Sequence, residues 1–191
     1  MVRPVLTTPP VGQIVQLAAA KLHLRVMHSD DDDLIAAHIA AAESELDGYA
    51  GLLGRCLLTQ SWVQYYPNWA DFYRLPFPDV SAATVSYVDT DGADQTVDAA
   101  LFEIVEEHRG AELWFRPAFA RPSLSSDERM PVAGELTAGY GEAADVPEDL
   151  VEAIKARVNQ LYWHTPEKDV MPTWTHSPWC WPGCHSPRAG S

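Results

Sequence analysis

The chain has 191 residues, of which 47% are hydrophobic, and it carries a formal net charge of −14. This length and composition suit one domain with a hydrophobic core and exclude a disordered chain. Tight binding to the phosphate backbone of nucleic acids is also excluded, because that affinity comes from Lys and Arg, and the chain has 13 of these against 27 Asp and Glu. It has no apolar run of about eighteen residues, so we expect no membrane span. Residues 1–10 lack the charged start and apolar block of a secretory signal, which favours synthesis in the cytoplasm.

The chain begins with a segment that favours extended backbone and then a short helix. Three prolines within residues 1–11 predict an extended arm. The following pattern predicts a helix over residues 17–26, with Ala18, Leu22 and Val26 on one face.

A long amphipathic helix is predicted over residues 30–53. Its apolar positions recur at alternating steps of four and three residues: Ile35, Ile39, Ala42, Leu46, Tyr49 and Leu53. Ser29 suits the N-cap with Asp32 three residues later, and Gly54 suits the end of the helix. The acidic run from Asp30 to Asp33 lacks the spacing of a calcium loop and is interpreted as a favourable charge at the helix dipole. The apolar seam can pack on the chain's own core or against a neighbouring subunit.

Residues 57–141 change to the alternation typical of strands. The predicted strand segments are 57–66, 84–88, 95–97, 101–105, 112–115 and 132–138. Asp91 and Gly92 form a tight turn in one hairpin, and Gly110 ends the turn of another. Prolines 76 and 78 make residues 75–78 extended but exclude a central strand there. This pattern predicts a small antiparallel β-rich unit.

A third helix is predicted over residues 147–164. Pro147 suits the first turn, and the two acidic residues after it complement the helix dipole. The apolar face consists of Val151, Ile154, Val158, Leu161 and Tyr162. The predicted fold class is therefore α+β, with three helices forming a stem, a central β-rich unit and a core that spans residues 1–166.

Residues 167–191 form an extended tail rich in proline and tryptophan. Trp174, Trp179 and Trp181 indicate docking onto another surface, because tryptophan dominates many interfaces, although an idle terminus has the same proline content. The tail also holds four residues of metal-ligating or disulfide-forming types, namely His176, Cys180, Cys184 and His185. Their spacing is not that of a zinc knuckle, so we predict no metal site and leave their role open.

The sequence lacks a phosphate loop, a dinucleotide fingerprint, a nucleophile elbow and a zinc-protease helix. Because carboxylates are abundant in this chain, two of them lie close together in any fold. Such a pair does not by itself indicate a glycosidase. We therefore predict no catalytic residues, no cofactor and no enzyme activity.

Several blocks in order resemble the head–tail connector (adaptor, or head-completion) proteins of long-tailed bacteriophages and gene transfer agents. They span about residues 15–167 and comprise Leu17 to Val26, the acidic run with Leu34 and Ile35, Gly51 to Arg55, Leu58 to Trp62, Leu75 to Pro78, Val85 to Gly92, Thr137 to Gly141, and Val146 to Trp163. The sequence departs from the family pattern after Trp163.

The resemblance implies a structural protein of the virion neck, made in the bacterial host cytoplasm. Such proteins form a ring of about twelve subunits under the portal protein, extend the DNA channel and support the stopper or tail-completion protein. The implied partners are thus the portal, the stopper and further copies of the chain, with DNA passing the acidic subunits unbound and no membrane involved. The alternatives are a monomeric acidic binding module or DNA mimic and, more remotely, a carboxylate-based hydrolase.

Overall fold

The structure, a computed structural model, describes residues 2–107 and 110–164 and has the predicted α+β class. Two single-turn 3-10 helices, Ala99–Leu101 and Ala143–Asp145, occur in connections. In chain order the strands and longer helices are β1 (Val5–Thr8), α1 (Leu17–Leu24), α2 (Asp32–Leu46), β2 (Gln60–Tyr66), β3 (Phe72–Arg74), β4 (Val80–Val88), β5 (Asp94–Thr96), β6 (Phe102–Glu107), β7 (Gly110–Phe115), β8 (Val132–Ala138) and α3 (Glu148–Trp163).

The three helices pack on one another around an aliphatic core. Its buried side chains are Ile14, Val15, Ala20, Leu24, Val26, Ile35, Ile39, Ala42, Leu57, Leu58, Val146, Ile154 and Val158. Full burial of one such Val, Leu or Ile stabilises the fold by about 1.5–3 kcal/mol. α3 runs antiparallel to α2, since Arg157 Nε donates to Glu45 Oε2 at 2.6 Å while Tyr162 donates to Asp31 Oδ2 at 2.6 Å.

The β-rich unit consists of two antiparallel sheets with a shared core. The strand orders are β1-β2-β8-β4-β5 and β3-β7-β6. In the larger sheet Trp62 lies opposite Leu136, and both side chains are buried. They meet the buried face of the smaller sheet, in which Phe115 contacts the rings of four other aromatic residues: Trp69, Tyr73, Phe102 and Phe119. Burial accordingly alternates along β2, β7 and β8.

The long helix is shorter than predicted, since it ends at Leu46 rather than at residue 53. Asp47 adopts an extended backbone conformation with ψ 148°, which ends the helix. Its carboxylate accepts a hydrogen bond from the Leu57 N–H. Tyr49 and Leu53 consequently lie outside the helical seam and are 42% and 40% exposed.

The predicted N-cap of the long helix is also wrong. The N-cap position belongs to Asp31, and no side chain caps the helix there, although Ser29 O accepts the Asp32 N–H. The acidic first turn, Asp32 and Asp33, does match the prediction of favourable charge at the dipole.

The short helix ends at Leu24, two residues earlier than predicted. Arg25 adopts a left-handed conformation with φ 59°, which stops the helix. The predicted apolar face is wrong in part, because Ala18 and Leu22 are exposed while Val26 is buried. The buried helical residues are instead Ala20 and Leu24.

All six predicted strand segments contain a strand, five of them with shifted bounds, and two further strands were not predicted. β1 lies within the N-terminal arm and pairs with β2, while β3 pairs with β7. β2 begins only at Gln60, because the preceding two leucines belong to the helical core. The hairpin turn is as predicted, with Asp89 Oδ1 accepting from the N–H groups of Asp91 and Ala93.

Candidate assembly surfaces

Two carboxylates at the C-terminal end of α2 hold neighbouring segments of the chain in place. Glu43 Oε1 accepts the N–H groups of Ile14 and Val15 at 2.8 and 3.0 Å. Burial raises the pKa of Glu43, and these two backbone donors oppose that rise. Asp47 Oδ1 accepts from Leu57 N at 2.7 Å and from Gln60 Nε2 at 3.0 Å. The N-terminal arm, α2 and the start of β2 are therefore fixed relative to one another.

Residues 48–54, which we call the junction loop, connect α2 to the β-rich unit in a fixed conformation. Gly48 N donates to Arg55 O at 2.8 Å, and Leu52 N donates to Glu45 O at 2.9 Å. Gly51 has no space for a side chain, since a Cβ there would lie 2.3 Å from Asp47 O. The loop is thus built around backbone hydrogen bonds that require glycine.

The junction loop presents apolar side chains to solvent. Leu52 is 75% exposed, and Tyr49 and Leu53 are each about two-fifths exposed. The loop carries no charge between Asp47 and Arg55, although the chain as a whole is strongly acidic. Tyr49 is anchored by an edge-to-face contact with Phe77, at 6.3 Å between ring centroids. Contiguous exposed apolar patches mark interaction surfaces, whereas single exposed leucines are common on protein surfaces.

Two cavities flank the C-terminal end of α2. The first, which we call the arm groove, lies between α2 and the N-terminal arm and has a volume of about 390 Å³. Its apolar lining comes from Pro10, Ile14, Ala40 and Leu58. The second cavity, of about 380 Å³, lies on the α3 side and is lined by Leu53, Arg55, Tyr140, Pro147, Asp149 and Leu150.

The guanidinium of Arg55 is held in place beside the second cavity. It lies 5.5 Å from the centre of the Tyr140 ring and 3.4 Å from Asp79 Oδ2. A cation over an aromatic face contributes about 0.5–1 kcal/mol when exposed. These two contacts hold the side chain of Arg55 in place directly after the junction loop.

Negative charge is spread over several exposed segments. The N-terminal end of α2 contributes four successive aspartates, and the hairpin between β4 and β5 contributes three. In that hairpin, hydrogen bonds from Ala93 N–H, the Gln95 amide and Asp91 N–H lower the pKa of Asp89. Across residues 2–107 and 110–164, only three basic side chains of Arg and Lys form no salt bridge: Arg3, Arg25 and Arg129. The described surface is therefore predominantly acidic.

The site residues predicted from the sequence lie outside the described residues. This applies to Trp174, Trp179 and Trp181, and equally to the four His and Cys residues of the tail. Among the residues that the structure covers, no three His, Cys, Asp or Glu side chains group as metal ligands. No helix in that part of the chain is long and apolar enough to cross a membrane.

Sequence reasoning missed the junction loop as a surface, because it assigned Tyr49 and Leu53 to the helix seam. A signal was present in the spacing of Gly48, Gly51 and Gly54, which a helix tolerates poorly. Glycine at every third position is better explained by a succession of tight turns.

Comparison with known proteins shows what the chain is similar to. Residues 14–70 match the family model described as "Phage gp6-like head-tail connector protein". No curated protein matches the sequence. Among solved structures, the fold is similar to a chain in the neck of an empty gene transfer agent (GTA) particle computed with C6 symmetry, with a TM-score of 0.70, 21% identity and 90% of each chain covered.

Two further structures have the same fold over most of their length. A chain in the virion of a native GTA particle gives a TM-score of 0.65 at 19% identity, covering 91% of this chain and 90% of that one. A chain in the neck of a native GTA particle computed with C12 symmetry gives a TM-score of 0.57 at 18% identity, covering 88% of this chain and 90% of that one.

The fold is thus of the same class as that of proteins in these GTA particles, over about nine-tenths of the chain. Across α1, α2, the junction loop and β2, the chain is similar to phage head–tail connector proteins, and its fold is similar to that of chains in gene transfer agent particles.

Proposed function

We propose that the protein is a structural adaptor that forms a ring below the portal, joins the capsid to the tail and extends the DNA channel. The observation that carries this proposal is the fold shared over about nine-tenths of its length with a chain from a GTA neck. Necks computed with C6 and C12 symmetry favour a closed ring of identical subunits, and we propose a dodecamer. The match to the connector family model over residues 14–70 also favours a structural rather than a catalytic role.

The charge of the chain suits a channel through which DNA passes without binding. A net charge of −14 per subunit gives a ring of this chain a strongly negative potential. DNA phosphates gain no counterion release from carboxylates, so contacts with the wall are weak. We propose that acidic segments such as Asp30 to Asp33 or the β4–β5 hairpin line this channel.

The partners in this proposal are the portal protein on one side and a stopper or tail-completion protein on the other. We propose that the tail, residues 167–191, docks on the portal or on a neighbouring subunit. The argument comes from composition: Trp174, Trp179 and Trp181 bury large areas when a partner offers pockets, and the prolines disfavour independent folding. The same contact repeated around a ring gains from multivalency.

Sedimentation with purified portal rings of the same particle tests the proposal. We expect the full chain to sediment with the portal at one subunit per portal subunit. A chain that stays monomeric beside intact portal rings contradicts the adaptor role and favours a monomeric acidic module.

A truncation after Pro166 tests the tail separately. We expect the truncated chain to remain folded, because the residues before the truncation that the structure describes bury two hydrophobic clusters of their own. We expect particles that carry it to be defective in head–tail joining. Normal yields of transfer-competent particles would show that the tail is dispensable.

A further inference from the structure

A cavity of about 290 Å³, which we call the edge cavity, lies beside β3, the edge strand of the smaller sheet. Its wall also includes the end of β2 and the residue at the start of the N-terminal arm. The lining residues are Val2, Tyr65, Tyr66, Pro67, Phe72, Tyr73, Arg74 and Met130. This lining is apolar and aromatic apart from one arginine and contains no acidic residue, although the chain as a whole is strongly acidic.

The wall of the edge cavity is partly exposed and includes a buried hydroxyl that lacks a partner. The side chains of Val2, Tyr65 and Phe72 are 41%, 40% and 50% exposed. Tyr66 is only 8% exposed, and its hydroxyl has no hydrogen-bond partner among the residues that the structure describes. Its ring stacks on Tyr73 at 3.8 Å between centroids. Since buried polar groups are nearly always paired, an occupant that fits this cavity brings both apolar surface and a hydrogen-bonding group.

We propose that the tail of this chain, residues 167–191, occupies the edge cavity of its own subunit before the ring assembles, with the segment Trp179 to Trp181 at the cavity. In the assembled ring the tail binds the portal or a neighbouring subunit, as proposed above, so the edge cavity is where it docks until then. Docking also covers indole surface that promotes aggregation when it is exposed.

The chemistry of the tail matches that of the edge cavity. Residues 170–187 contain three tryptophans and four prolines and no Asp, Glu, Lys or Arg. Proline-rich segments dock in grooves lined by aromatic side chains, because their extended conformation loses little entropy on binding. An indole buries a large apolar area, and its N–H can donate to the hydroxyl oxygen of Tyr66. The guanidinium of Arg74, whose side chain is 65% exposed, can lie over the face of the indole.

Other cavities suit an indole less well. The arm groove, the cavity beside Arg55 and a cavity near Trp69 each have at least one carboxylate in their lining. An indole that entered them would remove water from a charged group. Next to Val2 of the edge cavity, by contrast, the N-terminal arm offers a further surface without a carboxylate, lined by Arg3, Pro4, Val5, Leu6 and Trp62. The residues on either side of a docked indole therefore find apolar surface as well.

The tail is long enough to reach the edge cavity of its own subunit. The described residues end at His164, directly after α3. A compact chain of this size has a radius of gyration of about 15 Å and is therefore about 40 Å across. Trp179 follows His164 by 15 residues, which span up to about 50 Å when extended. A tethered segment of this kind has an effective concentration in the millimolar range, which favours its own subunit over another copy in dilute solution.

A disulfide between the tail and the edge cavity tests the contact in the free full-length subunit. The variant Met130→Cys with Cys184→Ser places one thiol at the cavity and leaves Cys180 in the tail. Oxidised glutathione accepts the two electrons released when the disulfide forms. Cys56 is buried, and burial raises the pKa of its thiol to about 12, so it stays unreactive. We expect a disulfide within one chain, seen as a faster-migrating monomer in non-reducing gel electrophoresis.

Thr90→Cys with Cys184→Ser is the matched control. Thr90 is exposed in the β4–β5 turn and lies at the same end of the larger sheet, since Val88 N donates to Pro131 O, but it does not line the edge cavity. A tail without a docking site reaches both positions, so the ratio of the two rates measures docking. We expect disulfide formation at Met130→Cys to be about tenfold faster or more. Equal rates would overturn the proposal, and so would covalent dimers as the main product.

Removal of the indoles tests the occupant. In the Met130→Cys chain, we expect Trp179→Ser with Trp181→Ser to slow disulfide formation to the rate of the control. Substitution of two other tail residues, His176→Ser with His185→Ser, should leave the rate unchanged. Thermal unfolding followed by circular dichroism checks that every variant is folded. Disulfide formation that stays fast without the two indoles would contradict the proposal.

The outcomes separate this docking from the proposed function. A free subunit whose tail shows no preference for the edge cavity overturns the docking and leaves the adaptor role intact. A wild-type chain that never associates with the portal overturns the adaptor role and leaves the docking in the free subunit intact.

Discussion

The core of the three helices is aliphatic, whereas the core between the two sheets is built around aromatic rings. Every buried apolar residue of the helical core is Ala, Val, Ile or Leu. The buried residues between the sheets include six aromatic ones: Trp62, Tyr66, Tyr73, Phe77, Phe102 and Phe115. Aliphatic side chains are held by shape and volume alone, whereas aromatic rings also prefer particular mutual angles.

This difference suggests separate tasks for the two regions. The aromatic core fixes the relation of two sheets whose strands lie far apart in sequence. The helical core positions the N-terminal arm, the junction loop and the acidic N-terminal end of α2. These three segments are candidate assembly surfaces. The two regions meet where the Asp47 carboxylate accepts from the Gln60 amide at the start of β2 and where Tyr49 contacts Phe77.

The largest effect is expected for a charge in the aliphatic core. Ile39 is fully buried, so Ile39→Asp places a carboxylate among side chains that offer it no partner. We expect no soluble folded protein on expression, whereas Ala37→Asp at an exposed position of the same helix should remain folded. A soluble Ile39→Asp variant with a wild-type circular dichroism spectrum would contradict this account of the helical core.

A substitution that leaves a cavity in the aromatic core should cause the second largest loss in the free energy of unfolding. Phe115 contacts rings on three sides, at centroid distances from 4.8 to 6.3 Å. We expect Phe115→Ala to lower the free energy of unfolding by about 3–5 kcal/mol in urea denaturation. Trp114→Ala on the opposite face of the same strand, where the ring is 37% exposed, is the control and should cost clearly less. Equal losses would mean that the aromatic contacts contribute little.

The junction between the two regions should respond more moderately. Asp47→Ala leaves the N–H of Leu57 without its acceptor and the amide of Gln60 with only the long bond to Leu58 O. We expect a loss of about 1–3 kcal/mol in the free energy of unfolding, against almost none for Ser44→Ala on the same helix. A change below the experimental error for Asp47→Ala would show that water replaces this acceptor.

The smallest effect concerns pH. Burial raises the pKa of Glu43 in the folded chain above its ordinary value of 4.5, so the folded state holds this proton more tightly than the unfolded state. The stability that protonated Glu43 contributes is present below pH 4.5 and is lost as pH rises through the folded pKa. We expect wild type to lose stability relative to Glu43→Gln across this window. A difference that is constant or of opposite sign would contradict the assigned burial.

The sequence predicts the elements with strong periodicity and fails where tertiary contacts decide. The strand Val132–Ala138 has the predicted bounds, and Ile154 and Val158 lie on the predicted face of α3. The predicted long helix extends too far, because Tyr49 and Leu53 keep the helical spacing of apolar residues. In the structure the helix ends at Leu46, and the Asp47 carboxylate accepts a hydrogen bond from the distant Leu57 N–H. Periodicity cannot register a hydrogen bond to a residue ten positions later.

The same limit applies to the strands and to the assembly surfaces. β1 and β3 are short strands whose pairing depends on β2 and β7, so local sequence does not specify them. The arm groove forms from residues about 30 positions apart, such as Gln13 and Glu43, and it was not predicted. The resemblance to connector proteins was found from ordered sequence blocks, and comparison of families and folds confirms it.

The central claim is that this chain forms a ring in the neck between the portal and the tail. Electron microscopy of particles that carry a labelled copy of the chain tests it most directly. We expect density for a closed ring of this α+β subunit immediately below the portal, with acidic side chains toward the DNA path. A neck that contains no copies of the chain, or a channel lined by basic residues at this level, would contradict the account.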